Sequence, residues 1–419
     1  MPWWIRAGGL LGLVLLGCAW EAGEAELPAM AGGRGQGGND REEVLGGFLS
    51  EHWRLPVPAQ GEAPADLSAL ERSLLPSDCG ACHPKQYREW QGSLHAGAFS
   101  PGFAGQLVEG RLAEAPQLRR CQTCHAPLAE QQPILESGEA EPAYDASLRA
   151  QGIVCAGCHR RSHRVFGPPR RPELPPLAAV LPHAGFEERA EFQESRFCAE
   201  CHHFFDDEGV AGKPLQNTWA EWRASPAAAA GRTCQSCHMP DRAHSWRGIH
   251  DPEMVRSGVQ VGWDAFEPDA EWVRATLVLT NRDVGHAFPT YVTPRVFLEA
   301  WQVDAEDGEI AGTRSRATIG REIDFSAWQE RFDTRVLPGE SMRLDYAQAR
   351  HSRARTLIGR VTVDPAYHYR GVFESLLASL ESGTARDLIA QALERANEAP
   401  YVLTETRRAL PGVSPTSLE

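Results

Sequence analysis

Five copies of Cys-x-x-Cys-His punctuate the middle of this 419-residue chain: Cys79-Gly-Ala-Cys82-His83, Cys121-Gln-Thr-Cys124-His125, Cys155-Ala-Gly-Cys158-His159, Cys198-Ala-Glu-Cys201-His202 and Cys234-Gln-Ser-Cys237-His238. Ten of the eleven cysteines lie in these pairs. The pattern is the attachment signature of c-type haem. The two thiols form thioethers to the porphyrin, and the adjacent histidine becomes the proximal ligand of the iron. Short disulfides suit an exported chain, and zinc knuckles also use Cys-x-x-Cys. Neither explains a histidine after the second cysteine five times out of five, and five pairs do not divide into two-pair zinc sites. The expectation is five covalently bound c-type haems, with His83, His125, His159, His202 and His238 as proximal ligands.

The eleventh cysteine, Cys18, closes the run Leu15-Leu16-Gly17-Cys18 after Arg6 and an apolar stretch too short to span a bilayer. This ending resembles a bacterial lipoprotein box, so residues 1–17 are expected to be a signal peptide and Cys18 the lipidated residue. An ordinary secretory signal cleaved nearby is the plainer alternative. Several acyl chains on one residue would anchor the protein stably. The expected location is the periplasmic side of a bacterial membrane, as an outer-membrane lipoprotein, with the cell surface as the other position. The net charge of −14 argues against nucleic acid as a partner and is compatible with docking to a basic redox protein.

Residues 18–49 are rich in Gly, Ala and Glu through their first half and read as a flexible tether. Residues 50–262 carry the five motifs. Their spacing is uneven, which excludes a solenoid of equal repeats. Pro84–Phe99 has Pro at its first turn and Tyr87, Trp90 and Leu94 at helical spacing; Thr218–Ala224 is a second helix candidate. Regular structure is otherwise sparse here, so the haems themselves are expected to supply the apolar bulk.

Residues 263–366 change character. Trp272–Thr280 places Val273, Ala275, Leu277 and Leu279 on one face, as in a half-buried strand. Arg295–Val303 is a second strand. Others are expected near Thr318, Asp324 and Arg335, and over Ser341–Tyr346 and Arg355–Val363. Together they suggest an antiparallel β-sandwich. Residues 367–419 read as a helical tail, with a helix pair over Val372–Ala396 broken near Ser382-Gly383 and an apolar stripe expected to pack on the sandwich. The fold class is therefore α+β: an irregular, mostly helical haem-packed region, then a C-terminal antiparallel β-sandwich and helical tail.

Ten of the fifteen histidines remain for the distal positions. A second histidine gives a low-spin haem of low potential, and a methionine would raise it. His95 is the leading candidate. A helix reaching it would set it roughly 18 Å from His83, which favours a neighbouring iron. His244 and His250 follow the fifth motif, and His286 opens Gly285-His286-Ala-Phe-Pro-Thr290 in a turn of the β domain. His183 precedes the fourth motif and His203 follows His202. His163, one helical turn from His159, could face another haem; His52, His351 and His368 are weaker.

The segment from Cys79 to Trp90, with Ser93-Leu-His95-Ala, resembles the multihaem family of the nitrifier tetrahaem cytochrome, electron acceptor for hydroxylamine oxidoreductase. Cys234-Gln-Ser-Cys-His-Met-Pro with His244 and His250 resembles the last haem site of that broader group. The segment at His286 looks like the β domain appended in some bacterial multihaem cytochromes. The resemblance spans roughly residues 50–365. It implies stacked bis-histidine haems, electron transfer outside the cytoplasm, and His95, His250 and His286 as distal ligands. A fifth motif, the β domain and Cys18 depart from that family, so its specific partner is not carried over. Three functions remain open: a membrane-tethered electron carrier between redox proteins, a reductase of a small nitrogen or sulfur oxide at one five-coordinate haem, and a subunit of a cytochrome filament or complex. No motif ends in Lys, the variant seen in ammonia-forming nitrite reductases, which weighs toward the carrier.

Overall fold

The computed structural model describes residues 37–109, 116–134, 138–172, 185–204, 209–325 and 327–411. The expected signal peptide, Cys18, most of the tether and His183 lie outside the described residues. The chain is α+β and divides into two units that alternate along the sequence. One gathers Met1–Glu208, Arg232–Arg247 and Val372–Glu394; the other gathers Gly209–Gly231, Gly248–Gly371 and Arg395–Glu419.

The first unit is built from short helices. A Cys-x-x-Cys spacing on a helix brings both thiols to one face, and all five motifs lie at a helix end: Pro76–Cys82, Pro116–His125, Cys155–His159, Ala199–His202 and Cys234–His238. The helix expected from Pro84 to Phe99 stops at Gln91. Gly92 caps it, and the Ser93 hydroxyl donates to the Trp90 carbonyl (2.7 Å), taking an acceptor from the helix ladder. His95 therefore sits in a turn, not on that helix. Among the described residues, the unit's apolar packing includes a cluster of Val57, Trp90, Leu128, Leu148, Val154 and Ala156 and a smaller one of Phe103, Leu107 and Cys121. After the third motif, β1 (Arg160–Arg161) and β2 (Arg164–Gly167) form a hairpin, and β3 (Glu187–Glu188) pairs parallel to β2. Ser162 and His163 at its turn have φ of 48° and 60°, as a two-residue hairpin turn requires. His163 thus belongs to a turn and not to a helix running on from His159.

The apolar stripe of the tail helices does not go to the sandwich. Phe373, Leu388, Ile389 and Ala392 meet Gly102 and Gly105 on the helix Pro101–Glu109, all within the first unit. A Cβ at Gly102 would lie 2.5 Å from Phe373, and one at Gly105 2.8 Å from Ile389. Only glycine admits this approach.

The second unit holds two antiparallel sheets. One is ordered β10 (Ser341–Ala349), β5 (Trp272–Asn281), β4 (Val259–Pro268). The other is ordered β12 (Tyr401–Ala409), β11 (Thr356–Asp364), β6 (Arg295–Val303), β7 (Ser315–Ile319). Val273, Leu277 and Leu279 of β5 and Val296, Leu298, Leu357, Val361 and Val363 of the facing sheet share one core. Two strands depart from expectation. β4 lies partly inside the expected haem region, and β12 falls in the expected helical tail. Only Leu403 of β12 is buried, so its alternation is faint, and it forms an edge carrying Arg407 and Arg408. The strand expected near Arg335 lies earlier: β8 (Arg321–Asp324) pairs with β9 (Gln329–Asp333).

Gly209–Gly231, which separates the fourth and fifth motifs in sequence, is held to this ribbon by ion pairs that are buried except at Lys213. Arg321, fully buried, donates to Glu330 (2.7 Å) and to the carbonyls of Pro214 and Val210 (2.5 and 2.8 Å). Arg335 pairs with Glu221 and Asp333, and Lys213 with Glu330 and Asp333, each at 2.9 Å. Burial pushes the Asp333 carboxyl up, but Arg335 and Lys213 hold it well below the usual carboxylate range. A depressed folded pKa gives stability that is present at neutral pH and lost as pH falls through it. Asp333→Asn is expected to cost about 2–4 kcal/mol at neutral pH, and its thermal stability should converge with that of the unsubstituted protein as the pH is lowered.

Candidate haem centres

Iron takes a neutral imidazole through one nitrogen, so the other must carry the proton. The first unit supplies that proton's acceptor at three motifs. Nδ1 of His125 lies 2.7 Å from the Ala98 carbonyl, Nδ1 of His159 2.7 Å from that of Phe166, and Nδ1 of His238 2.7 Å from that of Arg247. A carbonyl only accepts, so Nδ1 donates in each case and Nε2 presents its lone pair to a metal. Burial adds to this by pushing His159 and His202 down to about 4, which keeps both neutral.

Two of the candidate distal histidines lie close to proximal ones. The ring centroids of His95 and His202 are 6.3 Å apart, and those of His159 and His244 are also 6.3 Å apart. Two imidazole nitrogens each about 2 Å from one metal put the ring centroids roughly 6 Å apart. Both pairs therefore have room for one iron between the rings. His244 is oriented twice over: Nδ1 donates to the Arg242 carbonyl (2.9 Å), and its backbone N–H donates to Glu89 (2.9 Å), which Lys85 pairs at 3.2 Å.

His95 is held by its backbone. Its carbonyl accepts from the N–H of Ile153 (2.9 Å), whose own carbonyl accepts from the Trp90 indole (2.8 Å). Gly152 makes the approach possible at φ 65°; a Cβ there would lie 2.6 Å from the His95 carbonyl oxygen. The turn bearing His95 is thus laced to the residues entering the third motif.

The other histidines divide by which nitrogen is engaged. Nε2 of His52 meets the Cys158 carbonyl at 2.9 Å, and Nε2 of His163 meets that of Gly61 at 3.1 Å. The nitrogen that would bind iron is spent in both. His351 Nδ1 accepts from the Arg353 N–H, and His368 packs on Phe325. In the second unit, His250 is exposed just before the helix Pro252–Gly258, and Nδ1 of His286 lies 2.9 Å from the Ala287 carbonyl. His203 ends the helix Ala199–His202 in extended backbone.

The spatial order of the motifs differs from their order in sequence. Cys79 of the first motif lies beside Cys155 of the third, Cys124 of the second beside Cys201 of the fourth, and Cys198 of the fourth beside Cys234 of the fifth. Among the described residues, no group of three or more His, Cys, Asp or Glu is arranged as a zinc site needs. The donor set, the engaged Nδ1 atoms and the 6.3 Å ring pairs fit c-type haem.

Aromatic packing around these histidines carried no signal in the sequence. Phe192 stacks on His159 (5.3 Å, 23°), and Phe48, Trp53, Phe166 and Phe197 close around His52 behind it. Phe103 stacks on His125 (4.2 Å, 15°). These side chains come from separated segments with no shared periodicity.

The family model described as "Cytochrome c554 and c-prime" matches residues 78–160, which hold the first three motifs. No curated protein matches the chain. Among solved structures, a penta-heme cytochrome c552 from Thermochromatium tepidum is similar in fold, with a TM-score of 0.57 and 19% identity over 82% of this chain and 100% of that one. These findings support a multihaem c-type cytochrome, a haem protein of electron transfer.

The lacing at Gly152 generates a test. Gly152→Ala is expected to displace the His95 turn and alter one low-spin haem signal in the electron paramagnetic resonance (EPR) spectrum. The covalent haem count should stay unchanged, because no thioether cysteine moves.

Proposed function

We propose that the chain is a five-haem electron conduit working outside the cytoplasm, tethered to a membrane through a lipid on Cys18. The observation that carries this reading is the crowding of the motifs within a single unit, where His159 lies 6.3 Å from His244, Trp246 lies against both His244 and His95, and His95 lies 6.3 Å from His202. Sites so close permit electron exchange from one to the next, whereas isolated sites would not. Haem supplies reversible one-electron storage at each motif.

The residues have separate tasks. The ten motif cysteines hold the porphyrins covalently, and His83, His125, His159, His202 and His238 provide the proximal nitrogens. His95 is assigned as distal ligand opposite His202, and His244 opposite His159, on the ring separations given above. His250, His286, His183 and His203 remain the candidates for the other haems, His250 and His286 on the resemblance as well. Where two histidines hold one haem, as His95 with His202 and His244 with His159 would, the residues would favour low potential and leave no position for a substrate. The partners are redox proteins, and the acidic balance of the chain suits a basic docking face.

Mass measurement of the purified holoprotein should show five haems added. The oxidised EPR spectrum should be dominated by low-spin haem. A dominant high-spin signal, with turnover of nitrite or hydroxylamine, would replace the carrier reading with an enzyme. Cys18→Ser should move the protein from the membrane fraction to the soluble one; retention in the membrane would refute the lipid tether.

A further inference from the structure

We infer that Trp246 is a positioning residue for two haem centres at once, setting the imidazole planes of both His95 and His244. This rests on the reading of those histidines as axial ligands. The indole lies against both rings: its centroid is 4.5 Å from that of His95 at 60° and 5.1 Å from that of His244 at 80°. Each is an edge-on contact of the kind that fixes the rotation of an aromatic ring.

Trp246 is held in place at a conformational cost. Its φ is 39°, a left-handed conformation that a bulky residue rarely adopts. Asp241 and Arg242, at 52° and 59°, prepare the same tight course. The loop is closed where His238 Nδ1 donates to the Arg247 carbonyl. One ten-residue excursion from His238 to Arg247 therefore serves three centres. Its start is the proximal His238, its middle is His244 facing His159, and its indole reaches His95 facing His202.

The two contacts are not equivalent. His244 already has Nδ1 committed to Arg242. Neither ring nitrogen of His95 has a hydrogen bond among the described residues, so the indole is the contact that sets its plane. Axial imidazole orientation governs the EPR spectrum of a low-spin haem, so loss of the indole should be read there, more strongly at the His95 centre than at the His244 centre.

The test uses the full-length holoprotein. His95→Ala and His244→Ala first mark which low-spin signals belong to the two centres. Trp246→Leu removes the indole, Trp246→Gly removes it while relieving the left-handed backbone, and Trp246→Phe keeps a ring. The expected result in both Leu and Gly variants is a shifted or broadened signal at the His95 centre, a smaller change at the His244 centre, other signals unmoved, and substantial restoration by Phe. Unmoved signals in Trp246→Leu and Trp246→Gly would overturn the inference while leaving the ligand assignment intact. Equal disturbance or loss of every haem would overturn it as well, showing a general structural role. Low-spin signals that survive His95→Ala and His244→Ala would instead overturn the ligand assignment.

Discussion

The proton on Nδ1 is the constraint on which the haem-bearing unit depends. An imidazole offers Nε2 to a metal in a fixed orientation when an acceptor takes the hydrogen on Nδ1. The carbonyls that accept it belong to segments other than the motif helices: Ala98 before the second motif, Phe166 in the hairpin after the third, Arg247 at the end of the loop after the fifth. Each bond straps a loop to a motif. Where the opposite nitrogen is used, as in His52 and His163, the histidine becomes a structural crosslink between distant segments. One choice of ring nitrogen thus separates ligands from scaffold.

The straps add to the small apolar clusters of this unit in holding its shape. Between the motifs the chain is held by main-chain acceptors, by the aromatic group behind His159, and by the glycine-faced packing of the tail helices. The second unit solves its own problem conventionally, with two sheets sharing one core. It also fixes Gly209–Gly231 through Arg321, Arg335 and Lys213. The connection between the fourth and fifth motifs is therefore a clamped segment and not a free linker.

The motifs and the β5 strand were legible in the sequence because each signal is local: a five-residue pattern in one case, a period of two in the other. The adjacency of the first motif to the third and of the second to the fourth was not, since nothing local encodes which thiols meet. The end of the helix at Gln91 turned on a single hydroxyl at Ser93, and β12 showed one buried residue in nine. Trp246 gave no signal beyond being aromatic; its role depends on two histidines brought to it by distant segments.

The glycine face at Gly102 and Gly105 has a consequence for the order of events during synthesis. Phe373 and Ile389, which close over it, emerge 249 and 265 residues after Cys124 of the second motif. Until they emerge, Gly102 and Gly105 on the helix Pro101–Glu109 lack the side chains that meet them. This contact is therefore among the last the growing chain can form, and truncation before Phe373 would remove it whole.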